Sequence, residues 1–190
     1  MSALGLFLYF LIFFLTEPHA SCCAPGESTR GHNDVRDNLH DLALLADATA
    51  EKETLGLLET APGDRPADIL TSAVSPGWVS CLDVGVASPD SRRAGRDCTE
   101  AMRLRKRDRY AVHLAAMAEE RLEYKPVVWS CWGREHPDTT AALTQLARRA
   151  ARRQGVRDHK NLLRRARAQI GAAFARHLSA LLRTCLPRSV

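Results

Sequence analysis

The sequence lacks the residue patterns of several common small-domain classes. Its six cysteines form no Cys-x-x-Cys pair and no Cys/His pairing at zinc-site spacing, which argues against a structural zinc site. No asparagine is followed by the x-Ser/Thr of a glycosylation site, which weakly disfavours a glycosylated secreted protein. The chain has no internal repeat of about 20–50 residues, so we do not expect a repeat fold.

Acidic residues are nearly absent from the C-terminal part of the chain. Residues 141–190 contain 12 Lys/Arg and a single acid, Asp158, whereas residues 21–100 contain 14 Asp/Glu and 7 Lys/Arg. The formal net charge of +5 therefore conceals a polarised chain. Such a chain either binds a polyanion or folds its basic part over its acidic part.

The N-terminal segment contains an apolar run from Leu4 to Leu15. Its length suits the apolar core of a signal peptide and is too short for a membrane span. However, no Lys or Arg precedes the run, and Pro18 lies close to the expected cleavage position. We interpret residues 1–20 as a signal-peptide-like segment, with a membrane anchor or an accidental apolar start as alternatives, and the turn-forming residues 21–34 as a linker.

Periodicity predicts one α/β or α+β domain over residues 35–137, with a small central sheet and flanking helices, followed by a basic helical pair over residues 138–190 packed on it. We expect Asp34 to cap the first helix and the two first strands to form a hairpin. The expected elements are a helix over 35–59, strands over 67–74 and 78–87, a helix over 98–122, a strand over 124–132, and helices over 139–154 and 158–186.

Two aspartates interrupt consecutive apolar segments of the predicted hairpin. Asp68 precedes Ile69, and Asp83 lies within the apolar run from residue 81 to residue 86. Aspartate is a poor strand former and is rarely buried without a partner. Carboxylates on neighbouring strands can hold Mg²⁺, and Lys106 on the following helix can offset phosphate charge. The alternative makes both aspartates hydrogen-bonded structural residues and Lys106 a solvated charge.

The residues around these aspartates resemble a known family. The segments Arg65–Leu70, Leu82–Pro89 and Ala101–Tyr110 resemble the PD-(D/E)XK module, which has a restriction-endonuclease-like fold. They are more similar to the form found at the C-terminal end of LINE-type retroelement polyproteins, downstream of the reverse transcriptase. The segment Tyr124–Pro137 and the arginine-rich helices after it also resemble that polyprotein tail.

The resemblance implies a helix, a strand hairpin, a helix and a further strand, in that order. Asp68 takes the place of the first motif aspartate and Asp83 that of the second acid. Gly85 occupies the position where the family has its lysine, so Lys106 would be a lysine supplied from the helix instead. The implied function is a Mg²⁺-dependent DNA endonuclease-like domain derived from a retroelement, and the missing lysine leaves its activity open.

Arginines dominate the C-terminal helical pair. With only Asp158 as a local acid, they can follow a phosphate backbone and bind DNA or another nucleic acid in a salt-sensitive way. The alternatives are a solvated helix face, or a face that pairs with the acidic first helix. The residues predicted to bind nucleic acid are Arg148, Arg149, Arg152, Arg153, Arg164 and Arg165.

Two further functions stay open on the sequence. The chain can be a non-catalytic, basic nucleic-acid-binding relic of the same fold. It can also be a small secreted protein with disulfides among Cys22, Cys23, Cys98 and Cys185. Residues 1–20 indicate the secretory pathway, and a membrane contact if they stay uncleaved, whereas the family resemblance indicates the nucleus.

Overall fold

The central element of the protein is a four-stranded mixed sheet with the strand order β1-β2-β3-β4. The computed structural model describes residues 27–58, 63 and 65–185. Strand β2 is antiparallel to both β1 and β3, and β4 runs parallel to β3. The strands span β1 Glu51–Lys52, β2 Ile69–Thr71, β3 Val79–Ala87 and β4 Leu122–Ser130.

The described part of the chain also contains five α-helices, which makes the fold α+β. Between α2 and α3 the chain makes one short 3₁₀ turn, Ala111–His113. The parallel pairing of β3 with β4 requires the crossover that α2 and α3 provide. The helices span α1 Glu27–Ala46, α2 Cys98–Arg109, α3 Leu114–Glu119, α4 Pro137–Arg153 and α5 His159–Cys185.

The two faces of the sheet carry different side chains, as the alternation along β3 predicts. Leu82 and Val84 are buried in the main core with residues of α1, α4 and α5, and we call this side the α1 face. Cys81, Asp83 and Gly85 lie on the opposite side, which α2 and α3 cover, and we call it the α2 face. The predicted separation of Asp83 from the valines is confirmed.

The first helix is displaced towards the N-terminus relative to the prediction. It begins at Glu27, inside the segment predicted as a linker, and ends at Ala46 rather than near residue 59. Gly31 indicated a turn in the sequence, but a Cβ at this position would lie 2.8 Å from the His177 ring of α5. A residue without a side chain is therefore what lets α5 approach the helix here, and packing outweighs the low helix propensity of glycine.

The end of α1 is set by Asp47. Its carboxylate accepts hydrogen bonds from the main-chain N–H of Thr49 at 3.0 Å, which turns the chain, and from the main-chain N–H of Ser72 at 2.7 Å. The hydroxyl of Thr71 donates to it at 3.0 Å. One carboxylate thus joins the end of α1 to the end of β2, and the residues after it form β1 instead of a further helical turn.

The predicted helix over residues 98–122 is shorter in the structure. The sequence offers Asp97 or Thr99 as its N-cap, and the structure has Asp97, which accepts from the main-chain N–H groups of Thr99 and Glu100. The helix ends at Arg109, because Tyr110 turns inwards, is buried, and donates its hydroxyl to the carbonyl of Arg65 at 3.0 Å. Apolar spacing in the sequence predicts that Leu104 belongs to the buried stripe of this helix, but its side chain is 46% exposed.

The last strand and the two C-terminal helices lie close to their predicted bounds. The sequence predicts that Pro126 marks either an edge strand or the start of a strand. Strand β4 has one strand neighbour in the described sheet, so Pro126 lies in an edge strand, near its middle rather than at its start. On the outer side of β4, the Thr139 hydroxyl accepts from Val128 N at 2.7 Å and donates to Val128 O at 3.0 Å. Ser130 N donates to the carbonyl of Arg134 at 2.8 Å.

Several predictions concern residues outside the described part of the chain. The signal-peptide-like residues 1–20, Cys22 and Cys23 lie there, and the side chain of Cys185 is not described. Cys98 is buried with a free thiol. Among the described residues, no helix combines the length and the apolar character needed to span a bilayer.

Replacing Asp47 by alanine should lower the free energy of unfolding by about 2 kcal/mol at pH 7, because several hydrogen bonds to one charged group are lost. Burial disfavours the charged form, but the hydrogen bonds from Thr49 and Ser72 outweigh it and hold the pKa of Asp47 below its usual range. A carboxyl whose pKa is lowered by folding stabilises the protein fully above its unfolded pKa of about 4, and this contribution fades below it.

Urea unfolding of the wild type and Asp47→Ala between pH 7 and pH 3 measures this. The difference should be constant down to about pH 5 and shrink below about pH 4. Asp41→Ala, at an exposed position of α1, is the control and should change stability by less than about 0.5 kcal/mol. A difference that does not change with pH would contradict the assignment to the Asp47 carboxylate.

Candidate active site

Asp83 lies near the middle of β3, on the α2 face, and both of its carboxylate oxygens are hydrogen-bonded. Lys106 of α2 donates from Nζ to Oδ1 at 2.7 Å, and the Tyr124 hydroxyl of β4 donates to Oδ2. The side chains of Asp83 and Lys106 are 13% and 20% exposed. This is a largely buried ion pair between the central strand and the helix that covers it.

Gly85 provides the space through which Lys106 reaches Asp83. A Cβ built on Gly85 would lie 2.8 Å from Lys106 Cε and 3.2 Å from Met102 Cγ. The position at which the sequence resemblance expects a lysine is therefore filled by the side chain of another lysine, which arrives from α2. The four-residue spacing of Met102 and Lys106 in the sequence predicted that both lie on one side of this helix, and both do.

Asp68 lies immediately before β2, close to Asp83. Ile69 pairs with Leu82, so Asp68 stands level with Asp83 on the neighbouring strand. The Asp68 carboxylate accepts a hydrogen bond from Val84 N at 2.7 Å. Its other oxygen lies 3.4 Å from Nε2 of His32, which comes from α1. The hydrogen bond from Val84 N to the Asp68 side chain thus lies at the end of the β2–β3 ladder.

The two carboxylates have pKa values shifted in opposite directions. Burial raises the pKa of Asp83, the negative charge of Asp68 adds to this, and the contacts with Lys106 and Tyr124 only partly offset it. Burial acts in the same sense on Asp68, but the contact with His32, the Val84 N–H and the charge of Lys106 outweigh it and lower the pKa. The charges of Asp68, Asp83 and Lys106 therefore act on one another across one site.

The residues of the site that could bind a metal ion through oxygen are Asp68 and Asp83. Within residues 27–58, 63 and 65–185, no group of three His, Cys, Asp or Glu side chains is placed to hold one. Mg²⁺ keeps several water ligands and is commonly bound by one or two carboxylates together with substrate phosphate. Asp68 and Asp83 fit that pattern of donors, with Lys106 as the cation already beside them.

Sequence reasoning missed two residues of this site. Tyr124 lies on the same sheet face as Asp83, and its pairing with Cys81 in the parallel register is the signal that places it there. His32 belongs to the part of α1 that the sequence assigned to a linker. Burial, together with the charge of Asp83, raises the pKa of the Tyr124 hydroxyl, so it acts as a hydrogen-bond donor at neutral pH.

The arginines predicted to bind nucleic acid lie elsewhere. Helices α4 and α5 pack on the α1 face, whereas Asp83 and Lys106 lie on the α2 face. All six arginines are exposed. Contacts with the first helix, which the sequence left as an alternative, are also present: Arg153 donates to the carbonyl of Leu44 at 2.7 Å, and Arg176 lies 3.4 Å from the Asp34 carboxylate.

Comparison with known proteins adds no relative of this chain. No protein-family model, no curated protein and no solved structure matches it.

Replacing Lys106 by methionine should destabilise the protein by about 2–3 kcal/mol at pH 7, because it leaves the Asp83 carboxylate buried without its cation. Folding raises the pKa of Asp83, whereas it lowers the pKa of Asp47. A carboxyl whose pKa is raised by folding costs stability while it is ionised, and this cost disappears as the pH falls through the raised pKa. The destabilisation should therefore decrease as the pH is lowered from 7 towards the ordinary pKa of an aspartate, about 4.

Chemical unfolding at several pH values measures this. Lys160→Met, at an exposed position of α5, is the matched control and should have little effect. The double variant Asp83→Asn, Lys106→Met should be more stable than Lys106→Met alone, because the unpaired charge is gone. Additive effects of the two substitutions would show that the pair does not interact.

Proposed function

We propose that this chain has a restriction-endonuclease-like fold and is a Mg²⁺-dependent DNA endonuclease-like domain, with Asp68 and Asp83 as metal ligands and Lys106 as the cation that faces phosphate. The element order supports the fold: α1, the antiparallel hairpin β2–β3, the α2–α3 crossover and the parallel strand β4 follow one another as the resemblance implies. The derivation from a retroelement rests on the residue resemblance alone.

The observation that carries the proposal is the path of Lys106. Its side chain crosses above Gly85 and ends 2.7 Å from the Asp83 carboxylate. A lysine anchored on Gly85 itself would project from the same face of β3 as Asp83. Helix α2 thus places an ammonium group in the region that a lysine at position 85 of β3 would have reached. Asp68 lies next to it, immediately before β2.

Each residue has a distinct task in this proposal. When bound, Mg²⁺ would polarise the scissile phosphate and lower the pKa of an attacking water. Lys106 places positive charge where negative charge develops on the phosphate. Tyr124 holds one oxygen of Asp83, and Val84 N holds one oxygen of Asp68, so both carboxylates are fixed before a substrate arrives.

Asp83→Ala and Asp68→Asn should each reduce Mg²⁺-dependent nicking of supercoiled DNA by about a hundredfold or more, because a ligand for the metal is lost. Asp90→Asn, which removes an exposed acid from the loop after β3, should retain activity. Equal activity of Asp83→Ala and the wild type would exclude the proposed site. Absence of nicking in all of them would exclude the catalytic function.

Moving the lysine to the strand provides a second test. Lys106→Ala should lose most of the nicking activity, and adding Gly85→Lys should restore part of it, because the new side chain enters the space that Lys106 vacated. Val112→Lys in the Lys106→Ala background adds the same charge at a position that is 83% exposed and should restore nothing. Recovery in both double variants would indicate a general effect of charge.

One observation favours a second function, a nucleic-acid-binding protein without catalysis. Both oxygens of Asp83 already accept a hydrogen bond, from Lys106 and from Tyr124, so a metal ion would have to share these oxygens with the two donors or displace one of them. Binding that weakens steeply with salt but does not depend on Mg²⁺, in a protein that never nicks DNA, would identify this function.

A further inference from the structure

We propose that the loop between β3 and α2, residues 88–97, is a phosphate-backbone-binding surface that holds nucleic acid against the Asp83–Lys106 site. The choice of nucleic acid as the partner rests on the proposed function. The location of the surface rests on the charge and the packing of the loop, and it differs from the C-terminal arginines that the sequence suggested.

Positive charge is concentrated in and after this loop. Residues 88–110 contain eight Lys/Arg and four Asp/Glu. Two of these four acids already form ion pairs with arginines: Asp97 pairs with Arg134 at 2.6 Å, and Glu100 pairs with Arg103 at 2.7 Å. The surplus of unneutralised arginine is the charge pattern that a polyanion requires.

Three of these arginines are not used to hold the described fold together through ion pairs. The side chains of Arg92, Arg93 and Arg96 are exposed, and within the described part of the chain their guanidinium groups form no ion pair. Side chains that are exposed and unpaired keep all of their donors for a ligand. The loop is anchored to the fold between these arginines, because Ala94 is buried in a small apolar cluster with Ala87 and Cys98.

A chain of contacts connects the loop to the candidate active site. Arg105 of α2 donates from Nη1 to the carbonyl of Arg93 at 2.9 Å, and its Nη2 lies 3.4 Å from Sδ of Met102. Met102 lies against Gly85, beside Lys106. The loop is thus tied to the same side of α2 that carries the site lysine.

The other candidate surfaces fit a polyanion less well. The C-terminal arginines lie on helices that pack on the α1 face, away from Lys106. A groove of about 770 Å³ along the edge of β4 is lined by Arg103, Arg107 and Lys125, but Glu123 and Asp138 line it as well, and Asp138 lies 3.8 Å from Arg103. Mixed charges of this kind do not select a phosphate backbone.

The test compares two triple variants of the full chain that lose the same charge. Arg92, Arg93 and Arg96 are changed to Gln in one, and Arg148, Arg149 and Arg152 in the other; all six positions are exposed. Binding of a fluorescent 20-base-pair duplex is measured by anisotropy without Mg²⁺ at several NaCl concentrations, in the wild-type and Asp83→Ala backgrounds. Thermal unfolding confirms that each variant folds.

The loop variant should bind about tenfold or more weakly at 100 mM NaCl, and the slope of log K against log salt should fall by about 2–3, since each lost phosphate contact contributes about 0.9. The C-terminal variant should change affinity by less than threefold. Equal losses in both variants, a larger loss in the C-terminal variant, or no duplex binding by the wild type would overturn the inference.

A vesicle control separates the partner classes. If vesicles containing 30% phosphatidylserine bind as tightly as the duplex and with the same dependence on the loop arginines, the assignment to nucleic acid is wrong. The catalytic proposal is judged separately: duplex binding that depends on the loop while no variant nicks DNA would leave this surface standing and remove only the nuclease.

Discussion

The ion pair between Asp83 and Lys106 sets the constraint that the rest of the site follows. A carboxylate in the middle of a buried strand is unfavourable unless a cation and hydrogen-bond donors reach it. Three elements meet this demand together: α2 supplies Lys106, β4 supplies the Tyr124 hydroxyl, and β3 itself supplies the open space at Gly85. The positions of α2 and β4 relative to β3 are therefore tied to one charged group.

The two faces of the sheet differ in how much apolar packing they carry. The α1 face carries the large apolar cluster, in which Leu82, Val127 and Trp129 pack against three helices. The α2 face carries smaller clusters around the polar site. A substitution at Trp129 would act mainly on folding, whereas one at Tyr124 would act on the position of a carboxylate. The fold can accommodate the buried polar site because the apolar packing on the α1 face already stabilises the sheet.

The sequence was informative wherever a local period decided the outcome. Strand alternation placed Asp83 and Gly85 on one face of the sheet, and helical spacing placed Met102 and Lys106 on one side of α2; that this side faces Asp83 is seen in the structure. Prediction failed where distant residues decide: α1 extends through Gly31 because α5 packs there, and His32 meets Asp68 from 36 positions away. Tyr110 ends α2 through a hydrogen bond to residue 65, which no local pattern contains.

The outer edge of β4 has a consequence for association between molecules. An exposed strand edge is a template on which another chain can add a strand, and native proteins blunt such edges. Here Pro126 has no N–H to offer, Val128 is bonded through both main-chain groups, and Ser130 N is bonded to Arg134. The C-terminal half of the strand is thus closed to intermolecular pairing, so sheet extension along this edge is left to the short stretch around Leu122 and Tyr124.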